Sequence, residues 1–549
     1  MGNAAIYFHP DAFDTSASRL LGRHSAGESF LRGFVRHASV ERFHLWNASG
    51  VGQNQLEQLL HRVEPPARPV RWIPPTGRSS LDDPGVLHLP TPAMPEEAWR
   101  RLQHGARRYA ISGITHTTAS ANVMGILPNF LVAPLEDYDA LICTSSAVRA
   151  AVDAQIGMMR EYMGQAYGPR RRPEAQRVTI PLGVNCTDFS TTPDHRRAWR
   201  ERLDIPADAV VALYVGRFHT KAKMNPGLMA MALERAAART GRTIYWVNSG
   251  WAESDGALEV YHAETRKLCP SVEYRQVDGR PPDVRFSIWS VADFFISFSD
   301  NIQESFGLTP VEAMAAGLPS VVSDWDGYKD TVRDGDDGFR VPTLGPRAGF
   351  GGDLAYYYNN GWLTYENYIG AAGQYTAVDL GKAEAAVVSL VTDEGLRHRM
   401  GAQAQAQARR VFDWSAIIPQ YEALWTEQDA RRRAAPAAAP GANPFAPDPF
   451  TLFENYPTRH INRGDLVGLV PGMTLPLAQA RLAAPLASYS RFNRPTLQEV
   501  EAVLNHLAER GDVSVATLRE LVAPPRRNFL ERGLIWLARH DVVEIRPGA

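Results

Sequence analysis

The sequence predicts an α/β protein: two successive parallel sheets, each covered by helices, then a small, mostly helical domain. Three observations lead there. Short apolar strands alternate with helical stretches from the N-terminus to about Trp425, the rhythm of βαβ units. A polar segment from Thr191 to Arg197 divides that rhythm into two series. A Pro/Ala run, AAPAAAPGANPFAPDP, then sets off the tail as an extended, semi-rigid linker. At 549 residues the chain is too long for one core, so two or three domains are expected.

The first series holds strands at Ala4–Phe8, Ala110–Thr115, Ala140–Cys143 and Val178–Ile180, and forms a domain over 1–195. The second opens at Val210 with VVALYVG and continues through Thr243–Asn248, Val272–Arg275, Asp293–Phe298 and Ser320–Ser323. It forms a domain over 196–432, hinged near 190–205 and closed by a helix over 415–429. An aromatic insertion, about 350–375, interrupts it with DLAYYYNNGWLTYENYIG. Residues 433–490 read as linker and extension. In 491–549, helices are expected at Thr496–Arg510, Ser514–Leu521 and Asn528–His540, with a strand at Asp541–Ile545, a pattern resembling a winged helix.

Formal charge is −2 and the pI about 6.7, so no global field for nucleic acid or membrane is implied. No apolar run approaches the ~20 residues of a membrane span. The opening MGNAAIYFHPDAF reads as a strand, without the basic lead and long apolar stretch of a signal peptide. Three scattered cysteines, Cys143, Cys186 and Cys269, suggest neither a disulfide framework nor a metal site and suit a reducing cytoplasm. From Arg494 onward eight arginines face eight acids with no lysine, unlike the basic face of a DNA reader. A protein partner, an intramolecular contact or a homo-oligomer suits the tail better than nucleic acid.

The chemistry concentrates in ESFGLTPVEAMAAGLPSVVSD, Glu304 to Asp324. Glu304 and Glu312 are separated by seven residues, after a strand and before a helix that stops at Gly317. Open α/β sheets bind ligands at such places. Thr309 suits the N-cap, Pro310 the first helical position and Glu312 the third, which predicts a capping box. Free N–H groups and the positive dipole end there favour phosphate.

This run resembles the E-x7-E block of retaining glycosyltransferases of the GT-B fold, in particular glycosyltransferase family 4. The resemblance covers roughly 1–430 and is most specific from Val210 to Val341. It implies two Rossmann-like domains with an interdomain cleft, in which Glu304 contacts the donor sugar and Glu312 the nucleotide ribose. The stretch Phe306, Gly307, Leu308 and Thr309 would hold the diphosphate. Gly216, Arg217 and Lys223, in LYVGRFHTKAKMNP, match the family's cationic loop, with Lys221 a competitor for the lysine's place. His116, after the strand Ala110–Ile114, would approach the sugar or leaving phosphate from the first domain. Gly22, in GRHSAGE before a helix at Ser29–Val35, matches the family's glycine loop, an ordinary loop being the other reading.

The resemblance further implies a metal-independent retaining hexosyltransferase without cofactor. Its donor would be a UDP-, GDP- or ADP-sugar and its acceptor a glycan, a lipid-linked sugar or a small molecule, in polysaccharide or glycoconjugate biosynthesis. A sugar phosphorylase or disaccharide synthase, or a nucleotide-sugar-binding regulatory protein acting through the tail, are the alternatives. The expected location is cytoplasmic, with room for peripheral contact at the inner membrane face through arginine runs such as Arg170–Arg172. Asp324-Trp325-Asp326 is better explained by the family's D-x-x-G-x-x-[DE] loop, closed by Asp330, than as a metal motif.

Overall fold

The computed structural model describes residues 2–13, 22–168, 172–489 and 494–548, with the side chains of 22–24 excepted. Arg170 and Arg171 therefore lie outside the described residues. The chain divides into two compact units, Met1–Asn443 and Pro444–Ala549.

The first unit holds two parallel, Rossmann-like sheets. One contains β1 (Ala5–Phe8), β2 (Phe43–Asn47), β3 (Val70–Ile73), β4 (Val86–Leu89), β5 (Ala110–Ile114), β6 (Ala140–Cys143) and β7 (Gln176–Thr179), in the order β3-β2-β1-β4-β5-β6-β7. The other contains β8 (Val210–Arg217), β9 (Ile244–Trp251), β10 (Glu273–Asp278), β11 (Phe294–Ser297), β12 (Ser320–Ser323) and β13 (Gly338–Val341), in the order β10-β9-β8-β11-β12-β13. In each sheet the order reverses beside the first strand, which opens a crevice at the strands' C-terminal ends. β11 and β12 are buried along their whole length, as strands covered on both faces must be.

β2, β3 and β4 were absent from the strands expected from sequence. Each is short and carries polar residues that break an apolar run: His44, Arg71 and His88. His88 is buried in the sheet, with its Nδ1 3.0 Å from the Ser112 hydroxyl. Burial pushes its pKa down to about 3, so the ring is neutral and behaves as core.

The helix Trp414–Ala434 returns from the second domain onto the first. Its Trp414 indole donates to Ser29 Oγ (2.8 Å), and the Gln428 amide donates to the carbonyls of Ile111 and Tyr138. Ser39 donates both its N–H and its hydroxyl to the Glu422 carboxylate (2.6 and 2.9 Å). A second tie lies nearer the cleft. Ser146, in the first turn of the helix Ser146–Tyr167, donates its N–H and hydroxyl to Asp330 across the domains (2.5 and 2.7 Å). A carboxylate there also meets the positive end of the helix dipole.

Between β14 (Thr343–Leu344) and β15 (Ala377–Val378) the aromatic insertion folds as two helices, Gly352–Asn359 and Tyr365–Gly373.

The tail unit departs from the expected linker. β16 (Leu466–Leu469) and a helix at Leu475–Ala483 lie inside the stretch read as linker and extension. β16 is the central strand of an antiparallel sheet, between β17 (Val513–Ser514) and β18 (Val543–Arg546). β18 thus pairs with a strand far upstream in sequence, which no local turn signal could announce. The helix Leu497–Arg510 begins with a formed capping box, Thr496 and Glu499. Leu530, Leu534 and Leu537 of the helix Arg527–Arg539 enter the core, and Ile535 is exposed. Arg519, Arg526, Arg527 and Arg546 pair with Glu531, Glu499, Glu520 and Asp512, which balances half of the eight arginines counted from Arg494 onward.

Replacing Asp330 by Ala removes the two interdomain hydrogen bonds at Ser146. We expect a loss of about 1 kcal/mol in chemical denaturation, set by a charge-assisted bond at an exposed helix start. An unchanged midpoint would show that the contact contributes nothing.

Candidate functional site

The C-terminal ends of β8, β9 and β11 meet the first domain around a cavity of about 560 Å³. That volume lies within the range of small-molecule sites. Its floor is Val215, Gly216 and Arg217 at the end of β8 and Ser249, Gly250 and Trp251 at the end of β9. Glu304 to Thr309 form one wall; His116, Thr117 and Ser120 form another.

Lys223 and Glu304 form an ion pair across this space, with side chains 20% and 14% exposed. Burial works against the Lys223 ammonium, but the Glu304 carboxylate outweighs it and raises its pKa above the usual lysine value. Lys221 lies outside the cavity lining, and its ammonium donates to Asn367 Oδ1 (2.9 Å). Geometry thus brings Lys223, and not Lys221, to the site. Arg217 lines the cavity and makes no ion pair among the described residues. Gly216 is crowded: a Cβ there would stand 2.7 Å from the Tyr214 hydroxyl.

The capping box expected at Thr309 does not form. The helix is Leu308–Ala315 and its N-cap is Gly307, in the left-handed region at φ +86°, with no side-chain cap. Thr309 and Pro310 fall inside the first turn instead of at its cap and first position. The reason is steric. A Cβ on Gly307 would stand 2.2 Å from the Tyr328 ring, so only glycine lets the chain turn into the helix this early. The first-turn N–H groups are left without a side-chain cap beside the cavity, an arrangement suited to an anion. Glu312 lines the same cavity with Arg285. Burial raises its pKa, and Arg285 and Lys223 work against that shift.

The loop expected at Gly22–Glu28 is helical: a single helix runs Gly22–His37. Gly22 opens it, but its surroundings lie outside the described residues; Ser25 and Ala26 of its first turn do line the cavity. His116 lines both this cavity and a small apolar recess beneath the returning helix.

Sequence reading missed Arg285 and Tyr365. Arg285 follows β10, and its only signal was a place near a strand's C-terminal end. Tyr365 comes from the insertion, whose path nothing local could predict.

Among the described residues, His219, Glu253 and Glu366 form a cluster with ligand-type atoms within 4.8 Å of one another. His219 Nδ1 accepts the Ala222 N–H (3.0 Å), which places the ring proton on Nε2, 3.5 Å from Glu366. That tautomer suits a hydrogen bond to Glu366 better than metal ligation. Of the D-x-D pair, Asp324 faces Arg340 (3.4 Å). Asp326 holds a left-handed backbone at φ +39°.

Residues 195–347 match the family model "Glycosyl transferases group 1". The chain carries a group 1 glycosyl transferase domain. A "D-inositol 3-phosphate glycosyltransferase" of Streptomyces scabiei is 30% identical over 219 residues, covering 38% of this chain and 46% of that one. A Salmonella typhimurium "Lipopolysaccharide 1,2-N-acetylglucosaminetransferase" is 26% identical over 194 residues, covering 34% and 49%. The chain therefore spans about half the length of the curated relatives it matches. Among solved structures, Anabaena HepE in complex with UDP and glucose aligns over 77% of this chain and 99% of its own, at 15% identity and a TM-score of 0.49. The group 1 domain takes in β8 to β13, with both glutamates and the cationic loop, and ends before the aromatic insertion.

Asp326 generates a pH prediction. Burial first, and the Glu304 charge second, push its pKa up to about 8. The folded protein thus holds a proton that the unfolded chain releases near pH 4, so this group's stabilisation is full at low pH and is lost as pH rises towards 8. Asp326→Asn, which tolerates the left-handed backbone, should raise the melting temperature at pH 8 and leave it unchanged near pH 4. Equal shifts at both pH values would contradict the protonated state.

Proposed function

We propose that the chain transfers a glycosyl group from a nucleoside-diphosphate sugar to a hydroxyl acceptor, with retention and without a metal. The observation that carries this is the convergence of Arg217, Lys223 and an uncapped helix start on one cavity with two carboxylates. Breaking the glycosidic bond builds negative charge on the leaving diphosphate. Arg217 and Lys223 stabilise that charge more in the transition state than in the ground state. The first-turn N–H groups at Leu308 and Thr309 take a phosphate.

Glu304 would leave its pairing with Lys223 to orient the sugar hydroxyls, while Lys223 turns to the phosphate. Glu312 accepts from the ribose diol, and those hydrogen bonds favour the carboxylate that burial alone disfavours. His116 meets the sugar or leaving phosphate from the first domain. The departing phosphate can itself take the acceptor's proton, which requires no further protein base. A role in polysaccharide or glycoconjugate assembly in the cytoplasm is the setting this reading favours, and no described helix is long and apolar enough to cross a membrane.

UDP-, GDP- and ADP-sugars should be screened for thermal stabilisation, since a bound ligand stabilises by mass action, and then for transfer or slow donor hydrolysis. With the active donor, Arg217→Ala and Glu304→Ala should each lower turnover by about 10²-fold or more while both variants remain folded, the Glu304 variant melting lower because Lys223 is left unpaired. Glu312→Ala should mainly raise the donor KM. Full activity in both the Arg217 and the Glu304 variants would sink the assignment.

A further inference from the structure

We propose that the aromatic insertion between β14 and β15 is a saccharide-binding subsite that holds the acceptor beside the donor cavity. This rests on the glycosyl-transfer reading above and adds the acceptor's class and place. The insertion begins where the match to the group 1 domain, residues 195–347, has ended. From Phe350 to Tyr375 it carries eight aromatic residues, two acids and no lysine or arginine.

Its inner side is fixed at the cleft. Ile369 is fully buried and packs with Ala222 of the cationic loop and Ala119 of the first domain. The Tyr358 hydroxyl accepts the Ala121 N–H (2.9 Å), and the Tyr358 ring stacks on Tyr368 with centroids 4.2 Å apart and planes 7° apart. Tyr365, on the same helix, lines the donor cavity together with Thr117 and Ser120. One insertion thus reaches both domains and places a phenol in the cavity wall.

Its outer side leaves a preformed aromatic surface in water. Trp362 is 67% exposed and Tyr356 57%. Tyr357 and Trp362 stack at 5.5 Å with planes 24° apart, and Tyr356 stands at 90° to Trp362. These rings brace one another, so little conformational freedom remains to be lost on binding. A sugar offers C–H faces to rings and hydroxyls to phenols, which is the pairing that amphipathic aromatics serve. An anionic membrane would be met by a cluster of basic residues; from Phe350 to Tyr375 there are none, and the one arginine between β14 and β15, Arg347, stacks over the Phe350 ring. The charge pattern therefore favours an uncharged, hydroxyl-rich ligand, and the same insertion carries Tyr365 in the wall of the donor cavity.

The test compares the full chain with Trp362→Ala/Tyr357→Ala and with Tyr365→Phe. Maltotetraose, cellotetraose, mannotetraose and chitotetraose are titrated by calorimetry, and UDP, GDP and ADP stabilisation is measured in parallel. We expect at least one saccharide to bind the parent chain. The double variant should weaken it about tenfold, with nucleotide stabilisation unchanged. Tyr365→Phe should weaken the saccharide less and preserve the fold. No saccharide binding by the parent, or equal binding by the double variant, overturns the subsite while nucleotide stabilisation keeps the transfer reading alive. Binding instead to phosphatidylglycerol–phosphatidylethanolamine vesicles, lost in the double variant, also overturns it. Saccharide binding with no nucleotide stabilisation of the parent removes the acceptor role together with the transfer reading.

Discussion

The ion pair between Lys223 and Glu304 ties the loop after β8 to the loop after β11, and the site depends on that tie. The two loops belong to neighbouring strands of one sheet, so the crevice at the strand ends is fixed by topology. The pair then sets how the two loops face each other within it. A mostly buried ion pair is weak evidence for stability, because desolvation offsets much of the attraction. Its value here is registration: it points an ammonium and a carboxylate into the cavity, each balancing the other's charge. Arg217, left without an ion-pair partner among the described residues, remains as a positive charge lining the cavity, together with Arg285.

Gly307 supplies the second constraint. Its left-handed backbone and its contact with Tyr328 set where the helix begins, and so which N–H groups face the cavity. Tyr328 is itself held: its hydroxyl lies 2.9 Å from that of Ser297, at the end of β11. The helix start is therefore braced from below by the strand that precedes it. Across the cleft, the Asp330 carboxylate takes the Ser146 N–H and hydroxyl, and the Ser305 carbonyl accepts from the Ser145 hydroxyl at 2.8 Å. The segment that carries the acidic block thus also carries the contacts to the first domain.

Much of the second domain was legible in the sequence. Its central strands β8 and β11 are built on continuous apolar runs, and its site residues lie just past their ends, where a one-dimensional reading finds them. The exception is instructive: Thr309 and Glu312 satisfied the local pattern for a capping box, yet the contact of Gly307 with Tyr328, twenty-one residues on, set the helix boundary instead. In the first domain the pattern failed at β2, β3 and β4, because buried His44 and His88 break the apolar run. Gly22 looked like a loop glycine and begins a helix. β16 lay in a stretch whose composition reads as linker, and its pairing with β18 joins residues about eighty apart. The aromatic insertion was visible as composition only; that Tyr365 reaches the donor cavity depends on packing between Ile369, Ala222 and Ala119, which no local signal encodes.

The central claim is that a nucleoside diphosphate sits between the cationic loop and the helix start. Hydrogen–deuterium exchange with and without UDP, GDP or ADP tests it most directly, because exchange reports on individual backbone segments. Slowed exchange confined to peptides spanning 216–223 and 304–312, with a nucleotide that also raises the melting temperature, is the predicted result. Stabilisation by a nucleotide with unchanged exchange in both segments would place the ligand elsewhere and contradict the account.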